Sequence, residues 1–190
     1  PPVLVSTSPP DNAVAVAVDE TIELSFDEPV QAGSGTIEIR RSADDILVQS
    51  FDVTGPFGTF AGTIVEVDPN GVLPSGTGLY LKVAPGAIRD LAGNPYEGID
   101  DETTFNFATN FAPETEDSLI VTNPGVTEQH LFSATDPEDD PLSFAVGTPP
   151  GAGFLSVETN GEFKYAAPGL EGEEKFSYDV SDPNGNTVET

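Results

Sequence analysis

Asp136, Glu138 and Asp140 stand at alternate positions in the run Ala134-Thr135-Asp136-Pro137-Glu138-Asp139-Asp140-Pro141. In an extended chain, alternate side chains share a face, so this spacing predicts three like charges side by side. Such a group repels itself unless a cation sits among its members. Calcium fits best, because it is hard and gathers about 6–8 oxygen ligands from carboxylates, amides and carbonyls. The competing reading is a solvated acidic turn. The pattern is not that of a helix–loop–helix calcium hand, whose Asp-x-Asp-x-Asp-Gly loop is missing. A second acidic group comprises Asp27, Glu28, Asp90, Asn94, Asp100 and Asp101. It could hold another ion or touch a ligand. Turn and capping roles are the plainer reading for these residues.

Other chemistry is harder to assemble. The sole histidine, His130, lies inside the alternating run Thr127–Phe132 and reads as a strand-face residue, not a base. Carboxylate pairs arise by chance in so acidic a chain, so they do not specify a glycosidase. No nucleophile elbow or phosphate loop is present, and the chain is expected not to be an enzyme. Phe57, Phe60, Tyr80 and Tyr96 could form a sugar-stacking platform, although aromatics in β-sandwiches mostly fill cores. Asp-Pro-Asn-Gly occurs at Asp68–Gly71 and again at Asp182–Gly185, and both read as tight turns.

The elements that would position these residues are strands. The 190 residues contain 33 Asp+Glu against 6 Lys+Arg, for a net charge of -27. That charge repels nucleic acid phosphates and anionic lipid, so neither nucleic acid nor a membrane is expected as a partner. With no Cys, a disulfide framework, zinc–thiolate sites and thiol catalysis are excluded. A bound metal is then the natural staple for a small acidic domain. Apolar residues alternate with period two at Val3–Val5, Thr21–Phe26, Thr36–Arg40, Ile46–Phe51, Gly62–Val67, Leu79–Val83 and Thr103–Phe107. Ala13–Val18 reads as extended for the same reason.

A boundary is expected at residues 108–117, where a strand ends, Pro113 blocks continuation and a new series begins. The proposed domains are 1–109 and 110–190. The second strand series runs Ser118–Val121, Thr127–Ala134, Pro141–Val146, Gly153–Val157, Gly161–Tyr165 and Lys175–Ser181. Thr187–Thr190 reads as a last strand cut short, and the start at Pro1-Pro2 reads as that of a segment excised from a longer chain. Acid is spread over both halves, 17 Asp+Glu in the first and 16 in the second. Glu116 and Asn110 lie in the linker and could donate to the Asp136 ion from the other side. The predicted fold is all-β, two antiparallel sandwiches in tandem.

Two resemblances sharpen this. Ser6–Ala13, Ile22–Val30, Gly86-Ala87-Ile88-Arg89-Asp90-Leu91-Ala92-Gly93-Asn94 and Thr104–Phe107 resemble, in order, the bacterial Ig-like domains of S-layer proteins and large adhesins. Ala134–Phe144, with Gly161–Tyr165 and Phe176–Asp182, resembles the cadherin-like tandem repeats of giant RTX-type adhesins. The second resemblance implies that Asp182 completes the shell around Asp136. The chain departs from that pattern at Phe111, where such repeats place an Asp. Together the resemblances imply a secreted, calcium-stabilised extender of a bacterial cell-surface adhesin of the biofilm type, flanked by adjacent Ig-like repeats of the same chain. Two alternatives are a module that binds a surface carbohydrate or a protein or peptide ligand, and an accessory module of a secreted hydrolase.

Overall fold

A computed structural model describes residues 1–56 and 58–190. The chain divides into two units, Pro1–Asn110 and Phe111–Thr190. Among the described residues all regular structure is strand, and no helix is long and apolar enough to cross a membrane.

The first unit contains β1 (Leu4–Ser8), β2 (Ala13–Val16), β3 (Ile22–Phe26), β4 (Val30–Ala32), β5 (Thr36–Arg41), β6 (Leu47–Asp52), β7 (Gly58–Ala61), β8 (Ile64–Val67), β9 (Gly78–Val83), β10 (Ile88–Asp90) and β11 (Asn106–Thr109). One sheet runs β1-β3-β8-β7, the facing sheet β2-β11-β9-β5-β6, and β10 pairs with β4 at one end. Alternation decides which face goes inward. Ile22, Leu24 and Phe26 of β3 meet Val65 and Val67 of β8 in the core, and Ile37 and Ile39 of β5 meet Leu79, Leu81 and Val83 of β9. Not every pairing is antiparallel: β2 runs parallel to β11.

The second unit contains β12 (Glu114–Thr115), β13 (Thr127–Leu131), β14 (Ala134–Thr135), β15 (Ser143–Val146), β16 (Phe154–Val157), β17 (Glu162–Ala166), β18 (Tyr178–Ser181) and β19 (Thr187–Glu189). It has two three-stranded sheets, β13-β17-β16 and β15-β18-β19, and a separate short pair, β12-β14. Aromatics dominate this core. Phe132 stacks on Phe163 at 4.0 Å and on Tyr178 at 3.6 Å between ring centroids.

Several expected strands differ: Lys175–Ser181 begins only at Tyr178, and Thr127–Ala134 divides into β13 and β14. Ser118–Val121 forms none, since Leu119 and Val121 are 88% and 85% exposed and only Ile120 packs on the core. Thr103–Phe107 begins late, because Asp101 holds Thr103 and Thr104 in a turn, and the strand starts at Asn106.

Candidate functional site

The strongest constellation lies in the second unit, on the turn after β14 and the turn between β18 and β19. The first turn is not extended as its alternation predicts. Asp139 has φ 61°, its N–H bonds back to the Asp136 carbonyl, and Asp136 Oδ1 accepts the N–H groups of Glu138 (2.9 Å) and Asp140 (3.2 Å). Pro137 and the competing side-chain acceptor turn the chain here. Asp136 is therefore 9% exposed, and its Oδ2 is buried with no hydrogen-bond partner among the described residues. A buried carboxylate oxygen left without a donor is costly.

Asp182, also buried, follows β18 directly. Its Oδ1 accepts the N–H groups of Asn184 (2.8 Å) and Asn186 (3.0 Å), and its Oδ2 accepts Asn186 Nδ2 (2.7 Å). The two turns are tied together, since Asn184 Nδ2 donates to Asp140 Oδ2 at 2.7 Å. Both grip the backbone of Phe111. Its N–H donates to Glu138 Oε1 (3.3 Å), and its carbonyl accepts from Asn186 Nδ2 (3.1 Å). Phe111 thus contributes main chain, and its side chain is exposed. Asp136, Glu138, Asp140 and Asp182 thus share one neighbourhood. Glu116 is exposed. Asn110 is buried in the first unit, where its N–H reaches the Val16 carbonyl and its carbonyl accepts from Gly76 and Ser75. Among the described residues no three carboxylates or histidines are gathered on one point as a finished metal cage.

Asn184 and Asn186 were missed by sequence reasoning. The signal lay in a different comparison from the one between Asp68–Gly71 and Asp182–Gly185. Asp90-x-x-Gly93-Asn94 and Asp182-x-x-Gly185-Asn186 share the pattern Asp-x-x-Gly-Asn. Asn94 binds Asp90 with its N–H (2.8 Å) and Nδ2 (2.6 Å), as Asn186 binds Asp182. In both turns Gly takes a positive φ, 90° and 92°. The Asn94 side chain, first among several donors, holds the Asp90 carboxyl below its ordinary range.

The rest of the first-unit acidic group is dispersed. Asp27 Oδ1 accepts the Val3 N–H at 2.8 Å, and the terminal ammonium of Pro1 lies 3.6 Å from Glu28 and 3.7 Å from Asp90. Asp100 pairs with Lys82 at 3.0 Å. Asp101 accepts from the hydroxyls and N–H groups of Thr103 and Thr104, led by the Thr103 hydroxyl, which brings its carboxyl down to about 2. These are largely turn roles. An aromatic platform does not form from the described members. Tyr96 packs edge-on against Phe26 in the core, Tyr80 is buried, and Phe60 packs against the core; Phe57 lies outside the described residues. Burial, then the bond to Asp45, pushes the Tyr80 hydroxyl up to about 12. His130 stacks on Phe163 at 5.5 Å as part of the sheet.

Compared with known families, residues 1–109 match the family model described as a bacterial Ig-like domain, and residues 98–190 match that of a bacterial Ig domain. Matches among solved structures are remote. CopC from Methylosinus trichosporium OB3b is 18% identical over 57% of this chain and 93% of that one, with a TM-score of 0.42. The N-terminal part of the bacterial S-layer protein SbsC is 13% identical over 100% of this chain and 42% of that one, at 0.41. The Bacteroides ovatus protein SGBP-B, solved with a mixed-linkage heptasaccharide, is 12% identical over 99% and 45%, at 0.28. No match was found among curated protein sequences.

Proposed function

Because the chain belongs to the bacterial Ig-like domain family, we propose that it is a non-catalytic extender of a bacterial cell-surface adhesin, stabilised by calcium at the paired acidic turns of its second unit. One observation carries the calcium reading: the buried Asp136 Oδ2 has no donor, in a neighbourhood that also holds Glu138, Asp140 and Asp182. A hard cation would supply the missing positive charge, and every group around it that could serve as a ligand is an oxygen. Asp136 and Asp182 are held by backbone N–H groups through Oδ1. Asp140 and Glu138 would have to turn from Asn184 and from the Phe111 amide to join the shell, since they are not yet converged. Phe111 and Asn186 can contribute carbonyl oxygens. The extender reading is supported by two successive Ig-like matches without a catalytic set, and it places the protein outside the cell.

Thermal unfolding with calcium and with chelator tests this. Ligands that meet only in the folded chain make binding part of folding, by about 2.7 kcal/mol at a hundredfold excess over the dissociation constant. Extracellular modules typically bind calcium at about 10⁻⁴–10⁻³ M, so millimolar calcium is the range to examine. A melting temperature that ignores chelator would overturn the calcium assignment.

A further inference from the structure

Strand β1 has a partner on one side only. It closes the sheet β1-β3-β8-β7, and among the described residues the backbone of Leu4–Thr7 bonds to nothing beyond β3. Free sheet edges are usually guarded by charge or by an internal proline. β1 reads Leu-Val-Ser-Thr-Ser and has neither, with prolines only flanking it at Pro1-Pro2 and Pro9-Pro10. The one irregularity is a register slip between Leu4 and Ser6, of the bulge type that can also protect an edge, and it leaves Val5 without a cross-strand partner. Val3 and Val5 are 58% and 65% exposed on alternate positions.

A groove of about 700 Å³ follows this edge along the whole run from Pro1 to Thr7. Its far wall includes Asp11, Tyr96, Glu97 and Thr104, and Tyr96 is buried in the core behind it. The volume lies within the usual range for ligand sites. Its lining includes four consecutive strand residues, Leu4–Thr7 of β1, as a site for an added strand requires. Both charged side chains lining it, Asp11 and Glu97, are acidic.

We infer that the β1 edge of the first unit is a strand-addition site for an extended, cationic segment of a partner protein. The partner strand would take up the unpaired edge of β1, place apolar side chains beside Val3 and Val5, and direct Lys or Arg toward Asp11 and Glu97. Charge selects this occupant over a second copy of the chain, which would bring another -27 to the interface. The inference does not depend on calcium and is independent of the second unit.

The test is titration of the isotope-labelled chain with an acetylated peptide Lys-Val-Thr-Val-Thr-Val-Lys, followed by amide chemical shifts. A charge-matched peptide, Lys-Val-Thr-Pro-Thr-Val-Lys, lacks a central donor and separates strand addition from simple charge attraction. Saturation on the order of 100 µM is expected, with shifts confined to residues 3–7 and 95–104 and a roughly tenfold loss for the proline peptide. Glu97→Gln, an exposed change that leaves folding intact, should weaken binding severalfold and flatten its salt dependence. Equal binding of the two peptides, shifts at another surface, or no saturation in the millimolar range would overturn the proposal. So would self-association through β1, seen as sedimentation of a dimer with the same amides shifting on concentration alone, since the occupant would then be a second copy.

Discussion

Asp136 shows how one residue can be both a turn former and a ligand candidate. One oxygen is spent on the N–H groups of Glu138 and Asp140, and the other is buried without a donor. Asp136→Asn keeps an oxygen for the N–H groups of Glu138 and Asp140 but removes the charge that would bind a cation, so it should erase the calcium response. Asp68→Ala should leave that response intact, because Asp68 is exposed and lies in the first unit. Chemical denaturation of the two variants in calcium and in chelator checks both. Asp101 makes a prediction about pH. Its folded carboxyl, held down first by the Thr103 hydroxyl, titrates at about 2, below the ordinary value of 3.8. A depressed carboxyl favours folding above its unfolded value, and that contribution is lost as pH falls through the folded one. Carboxyl-detected titration should find Asp101 still charged near pH 3, and Asp101→Ala should lessen acid sensitivity between pH 4 and 2.

At the scale of elements, close backbone approach sets the limits. Gly98 has φ 92°, and a Cβ there would sit 2.4 Å from the Val83 carbonyl oxygen, at the point where Ile99 and Val83 exchange backbone hydrogen bonds. Gly98→Ala should destabilise the first unit by about 1–3 kcal/mol or more, through both the left-handed backbone and the clash. Gly62→Ala is the contrast. Its φ is 66° but nothing lies within 4 Å, so only the milder conformational penalty applies. Urea midpoints of the two variants test the difference. The repeated Asp-x-x-Gly-Asn turn belongs to this scale too. In each unit it locks the chain with the same side-chain bonds, but among the described residues only the copy with Asp182 is bonded to a second acidic turn, through Asn184 and Asp140.

Across the whole molecule the two cores are separate. The first is aliphatic and spans both large sheets, whereas the second is a smaller cluster centred on Phe132, Phe163 and Tyr178. Two domains with independent cores need not unfold as one. Calorimetry should resolve two transitions, and chelator should lower only that of the second unit. Phe132→Ala, removing the ring at the centre of the aromatic stack, should cost that transition about 3–5 kcal/mol and leave the other in place. A single transition that moves as a whole would argue that the units fold together.

Alternation and turn residues alone determined the all-β class, most strands and their inward faces, because a period of two allows only one face to be buried. That Asp182 lies near the acidic run 134–141 was implied by a resemblance and not by residue types alone, and the folded chain ties the two turns through Asn184 and Asp140. What alternation and residue types could not express was conformation between strands. The turn at Asp139, the orphaned oxygen of Asp136 and the capture of the Phe111 backbone arise from side chains competing for particular N–H groups, and that competition has no periodicity to read. Ser118–Val121 alternates but finds only one docking place for Ile120, so tertiary packing decided against a strand. The open edge of β1 was likewise hidden, because a strand's sequence does not reveal whether one or two neighbours will pair with it; only the assembled sheet order does.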